Sequence, residues 1–217
     1  MARRVTPFRV FESGPGEIPC GAIGQALKSN RRGLNREFTA VDVALRAEEA
    51  LRQRGLREAP RNLKLVRNCA VAEMMKLSPE SQDIVFGSYF LNNYSTQYGE
   101  ENRELRTIEY LHEAKRIIKP RGRIILIQDQ LFAEGFAQTA RRMGLKVSVV
   151  KLPPKLVEAS TAEYIKYRRS EERRRELLEK DMKKKPAIAR FFKEFVEQHK
   201  LKDPTEAYWP TAIIMRK

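Results

Sequence analysis

Cysteine, histidine and tryptophan are scarce in this chain: two, two and one among 217 residues. Cys20 and Cys69 are too few for a disulfide scaffold. With two histidines they cannot complete the common four-ligand zinc site unless carboxylates join them. A reducing compartment and no metal are therefore expected. No run approaches the ~20 uninterrupted apolar residues that a membrane span needs. The opening Met-Ala-Arg-Arg-Val-Thr-Pro-Phe-Arg-Val has no apolar stretch of the signal-peptide kind. The expectation is a cytoplasmic protein with no membrane partner. Internal repeats are absent, yet 41% of the residues are hydrophobic and evenly spread, which excludes a disordered chain. The length suits one full-sized globular domain.

What the chain has in excess is positive charge, with 43 Lys+Arg against 28 Asp+Glu for a formal +15. Such an imbalance is an argument about partners and not about fold. A basic surface gains affinity for nucleic acid by releasing condensed counterions, independently of sequence. The competing reading is a solvated basic surface with no ligand.

Short apolar, β-branched runs alternate with longer helical patterns, the signature of βαβ units and a parallel sheet. Strands are expected at Phe8–Ser13, Phe38–Val43, Leu63–Cys69, Asp83–Leu91, Arg123–Asp129, Lys146–Leu152 and Thr211–Met215. Helices are expected at Ala22–Ser29, Leu45–Arg54, Arg103–Ile118 and Leu131–Met143, the third closed by Lys119-Pro120-Arg121-Gly122 and the fourth by Gly144. Ala70–Gln82 is too short and irregular to assign. Beyond Pro153 the pattern becomes charge-dense. Ser160-Thr161-Ala162-Glu163 reads as a capping box, Pro186 should end or kink the helix it starts, and Ile188, Phe191, Phe192, Phe195 and Val196 form a stripe expected to pack in a core.

Two strand ends carry the chemistry. Glu12-Ser13-Gly14-Pro15-Gly16-Glu17 is a glycine turn between a strand and a helix, where backbone can approach a ligand closely. Counted from Gly14, the third glycine of the dinucleotide fingerprint falls on Pro19, so NAD and FAD are disfavoured. No Gly-Lys-Ser/Thr follows a strand, so there is no P-loop. Asp42 ends the second strand at the edge where open α/β sheets bind ligands, and its carboxylate can accept from both ribose hydroxyls of a nucleoside. Alternatively it caps the helix beginning near Leu45.

The succession of glycine turn, strand-end Asp, Asp83-Ile84-Val85-Phe86-Gly87-Ser88-Tyr89-Phe90-Leu91-Asn92-Asn93 and Tyr110-Leu111-His112-Glu113-Ala114-Lys115-Arg116-Ile117-Ile118-Lys119-Pro120-Arg121-Gly122-Arg123-Ile124-Ile125-Leu126 resembles class I S-adenosylmethionine-dependent methyltransferases. The resemblance covers about residues 8–152 and the final strand. It implies an α/β fold with a seven-stranded, mostly parallel sheet of order 3-2-1-4-5-7-6 and an antiparallel last strand. Residues 1–152 and 208–217 would form this Rossmann-like domain, and 153–207 a basic helical insertion between strands six and seven. The implied cofactor is S-adenosylmethionine. Glu12, Gly14 and Gly16 would hold its methionine end and Asp42 its ribose. Asn68-Cys69-Ala70 stands where the family usually has Gly-Asp-Ala, which places Cys69 and Ala70 at the adenine, and Ser88 lies where methyl is delivered. Cys69 replaces the usual acidic group there, and Ile18 stands where a third glycine would be.

A sulfonium methyl is already activated and chiefly needs a nucleophile held in line. Asn92, Asn93 and Tyr94 after the fourth strand are the candidate catalytic residues, with Asp129 after the fifth. Tyr94-Ser95 in place of Pro-Pro counts against N6-adenine chemistry, and the lack of a cysteine after these strands counts against pyrimidine C5 transfer. His112 falls mid-helix and reads as structural.

If strands six and seven pair as in the family, their connection hangs at the ligand edge. Between Tyr164 and Lys185 ten Lys/Arg stand against five Asp/Glu. Lys166, Arg169 and Arg173 share one helical face able to meet phosphates, and Tyr164 and Tyr167 could stack on bases. RNA, ribosomal or transfer, is thus the expected partner and substrate. The alternatives are a degenerate methyltransferase serving as an RNA- or ribonucleoprotein-binding scaffold, for which Cys69 and the unusual glycine turn speak, and a small-molecule methyltransferase with a basic surface.

Overall fold

In the computed structural model, residues 6–14, 20–88, 103–159, 170–184 and 186–217 are described. Seven strands form one sheet: β1 (Phe8–Ser13), β2 (Arg36–Asp42), β3 (Leu63–Arg67), β4 (Gln82–Ser88), β5 (Ile118–Asp129), β6 (Lys146–Lys151) and β7 (Pro210–Arg216). Their order is β3-β2-β1-β4-β5-β7-β6. The first five run parallel, and β7 is antiparallel to both β5 and β6. This is the order and direction expected from the sequence.

Helices α1 (Cys20–Arg31), α2 (Ala47–Gln53), α3 (Ala70–Met75), α4 (Arg103–Ile117) and α5 (Gln130–Arg142) connect the parallel strands and lead into β6. One sheet face presents Phe11, Val85, Ile124 and Leu126 to Tyr110, Leu111 and Ala114 of α4 and to Ala133 and Ala137 of α5. The other presents Ala40 and Leu63 to Ile23 and Ala26 of α1 and Ala50 of α2. Buried Ala133, Phe136, Ala137 and Ala140 on α5 stand three and four residues apart, as an amphipathic helix requires. Its end is closed as expected: Gly144 N–H donates to Arg141 O and Leu145 N–H to Ala140 O.

Helices α6 (Pro154–Ala159), α7 (Glu171–Lys184) and α8 (Pro186–Gln198) and a 3₁₀ turn, Pro204–Tyr208, lie between β6 and β7 in the chain. Pro186 begins a new helix, having no N–H to continue the old one. Phe192 and Phe195 are each 5% exposed and pack with Leu131, Ala207 and Tyr208, with Val196 against them. The apolar stripe is core at these positions; the side chains of Ile188 and Phe191 lie outside the described residues. Buried Arg174 holds α7 down, its guanidinium 5.0 Å from the Trp209 ring centroid. The capping box at Ser160–Glu163 also falls outside the described residues. No helix among those described is long and apolar enough to cross a membrane.

Two local expectations change. The Lys119–Gly122 turn is no turn: Ile118 pairs with Gln82 directly after α4 ends, and the register then shifts to pair Arg123 with Ile84. Pro120, which has no N–H to give the ladder, sits within that irregularity. Lys119 Nζ donates to Asp83 Oδ2 at 2.7 Å, and the same oxygen accepts from Arg9 N at 2.8 Å, tying three strands at their starts. A Cβ on Gly122 would stand 2.7 Å from Ile118 Cγ1 and 2.8 Å from Asp83 O. The unassigned segment after β3 contains α3. Gly122→Ala should cost about 1–3 kcal/mol in urea unfolding through this overpacking; an unchanged midpoint would show that the bulge relaxes freely.

Candidate active site

The parallel register sets the carboxyl ends of β1, β2 and β4 side by side. Ser13 pairs with Val41 on one flank and with Gly87 on the other. One residue further, Gly14 takes φ +62° and its N–H donates to Val41 O at 2.9 Å. That left-handed conformation is open to glycine at little cost. Gly14, where the glycine turn starts, therefore lies beside Asp42, the residue after Val41. Pro15 through Pro19, and with them Gly16, lie outside the described residues.

Asp42 does not cap α2, whose N-cap is Arg46. Its Oδ1 accepts from Ala44 N at 2.9 Å, forming an Asx turn that holds the carboxylate at the strand end. Its backbone O accepts from Asn68 N at 3.2 Å, which joins the end of β3 to the site. Asn68 is itself fixed, with Oδ1 accepting from Cys69 N and Nδ2 donating to Glu73 Oε1 at 2.6 Å. A hydrogen bond from Lys76 holds the Glu73 carboxyl below the usual carboxylate range. Cys69 is the N-cap residue of α3 without a side-chain capping bond, and its thiol is not in a disulfide. The Ala70 side chain is 2% exposed and belongs to the core, which leaves only its backbone for any ligand contact.

Glu12 lies one residue before Ser13. Burial pushes its carboxyl up from the ordinary 4.5 to about 7. A group protonated more readily in the folded than in the unfolded chain stabilises the fold below pH 4.5 and progressively loses that contribution as pH rises through 7. Ser13 shares a buried 3.0 Å hydrogen bond with the Tyr110 hydroxyl, whose pKa burial raises. A Cβ on Gly87 would meet Leu126 Cδ2 at 3.0 Å and Tyr110 Oη at 3.5 Å, so a bare backbone is what fits between them.

At the end of β4, Ser88 is 7% exposed and its Oγ has no hydrogen-bond partner among the described residues. The candidate catalytic residues Asn92, Asn93 and Tyr94 follow it and lie outside the described residues, as do Lys166, Arg169, Tyr164 and Tyr167. Arg173 sits exposed on α7, where its Nη1 donates to Glu176 Oε2 at 2.7 Å. His112 is solvent-facing on α4. Asp129 closes β5 and, with Gln128, is fully buried. Gln128 was not singled out from sequence: it interrupts the apolar run Ile124-Ile125-Leu126-Ile127, which was the available signal.

Gly14 backbone thus lies beside a fixed carboxylate, two strands away from a buried hydroxyl with no partner among the described residues. No family model matches the sequence, and no curated protein matches it. Solved structures do. The CMeT domain of the citrinin polyketide synthase superposes with a TM-score of 0.52 at 15% identity, over 97% of this chain and 46% of that one. This chain thus spans under half the length of that structure. The cyclopropane synthase MmaA2 from Mycobacterium tuberculosis gives 0.49 at 10% identity, over 98% and 79%. A precorrin-6y C5,15-methyltransferase from Geobacter metallireducens gives 0.44 at 20%, over 67% of each chain. With its strand order and the first of these superpositions, the chain has the fold of the class I S-adenosylmethionine-dependent methyltransferases.

Proposed function

We propose that the protein transfers a methyl group from S-adenosylmethionine to RNA. The observation that supports the cofactor half is the Gly14 N–H bonded to Val41 O, which sets Gly14 beside Asp42. Gly14 would leave room for the methionine end, Asp42 would receive the ribose hydroxyls, and Glu12 would face the cationic part. Bound there, S-adenosylmethionine supplies a methyl carbon on a positively charged sulfur, and the electron pair of the broken bond stays with the sulfur. What the chain contributes is orientation and exclusion of water, which supply most of the rate for such a transfer.

The acceptor rests on charge. The formal +15 favours a polyanion, and 153–207 is the segment we read as its contact element. A small-molecule acceptor is the second reading, favoured by the way α7 pairs its own charges: Arg173 with Glu176 and Arg175 with Glu171. Such exposed pairs are worth only ~0.3–0.5 kcal/mol each and yield readily to phosphate.

Three measurements test these assignments. Asp42→Asn keeps an acceptor for Ala44 N–H but removes the charge. It should weaken S-adenosylmethionine binding in calorimetry by about tenfold or more, the value of a charged hydrogen bond. Wild-type protein that shows no heat with millimolar cofactor ends the methyltransferase reading. Binding of a cation beside Glu12 requires the ionised carboxyl, so affinity should climb by up to about tenfold per pH unit below 7 and level off above it. Glu12→Gln should flatten that dependence, and a flat wild-type profile removes Glu12 from the site. RNA binding should fall steeply with salt, and the Arg169→Glu, Arg173→Glu pair should weaken it without altering cofactor affinity; a flat salt dependence selects the small-molecule acceptor.

A further inference from the structure

Around the carboxyl ends of β4 and β5, Ser88 Oγ, both Nε2 and Oε1 of Gln128, and Gln130 Oε1 are buried with no hydrogen-bond partner among the described residues. Gln128 is the most constrained, at 0% exposure with neither end of its carboxamide satisfied among the described residues. Pleat alternation puts it on the same sheet face as Ile124 and Leu126, two residues beyond the last apolar side chain of that row. Its cross-strand neighbour Thr211 gives no help, because the Thr211 hydroxyl donates to Trp209 O at 3.2 Å. A buried carboxamide with both ends unmade is costly, and a Leu in the same place would not be. An unsatisfied buried group in a native protein calls for an explanation, and a ligand that satisfies it is one.

A carboxamide offers a donor and an acceptor in one plane, and the group that satisfies both presents the complementary acceptor and donor side by side. The hydrogen-bonding edge of a nucleobase does so, and single-stranded bases splayed from RNA are read in this way. We propose that Gln128 is the residue that reads the edge of the target base. This deepens the RNA methyltransferase reading and rests on it. Gln128 is a specificity-determining contact and takes no proton in the transfer.

The test uses the full chain labelled with ¹⁵N-glutamine, with and without S-adenosylhomocysteine. Gln128→Met, similar in volume and without the amide, identifies the Gln128 side-chain resonance by its loss. Titration with adenosine, guanosine, cytidine and uridine should move that resonance for at least one nucleoside. Gln128→Met should weaken the same nucleoside by about tenfold or more, the lower end of a two-bond base contact. It should leave S-adenosylhomocysteine affinity and melting temperature no lower than in wild type. The proposal is overturned if no nucleoside moves the resonance, if only a peptide amide such as N-acetylglycinamide does, or if Gln128→Met destabilises the fold, which would make the amide structural. Failure of S-adenosylhomocysteine to bind is a separate result that strikes the methyltransferase reading, while the nucleoside titration still decides the role of Gln128.

Discussion

Strand β1 lies between β2 and β4, parallel to both, and the whole candidate site depends on that register. Because Ser13 is level with Val41 and Gly87, the chain leaves all three strands at one edge and from nearly one height. A slip of one residue would turn Glu12 toward Tyr110 and put Phe11 on the opposite face. Phe11, Val41 and Val85 are buried in one cluster, so the hydrophobic effect fixes the register and the register fixes the site. The ion cluster of Asp83, Lys119 and the Arg9 amide reinforces the same alignment from the opposite edge.

Much of this could be read in the sequence because its signals are local. The short apolar run at Phe8–Ser13 matches β1 residue for residue, and the glycine after Met143 closes α5. What escaped depends on partners distant in the chain. Helix α3 is six residues long and starts without a side-chain cap. Its end is held from outside, by Arg116 of α4 donating to Leu77 O at 2.8 Å and Met74 O at 2.7 Å. Neither bond leaves a trace near residue 70. The proline and glycine at 120 and 122 spoke locally for a turn, but pairing of Ile118 with Gln82 drew them into β5.

The site was legible in part for the same reason. Asp42 and the glycine turn announce themselves by residue type and by position at strand ends, whereas the helix cap that was the alternative for Asp42 is in fact an Asx turn. Gln128 is conspicuous only once the strand around it is known to be buried on all sides. The basic segment shows the limit of charge counting. Arg173, Arg175 and Lys183 on α7 are laced to glutamates one turn away, and Arg174 is largely withdrawn from solvent.

That withdrawal has a practical side. Trp209 is the only tryptophan in the chain, and it sits where β7 begins, with Arg174 at 5.0 Å, Lys151 at 5.8 Å and its own Nε1 donating to Leu152 O at 2.8 Å. Charges that close to an indole alter its emission. The protein therefore carries a native optical gauge, free of any added dye, for whether α7 is seated on the sheet or has lifted away.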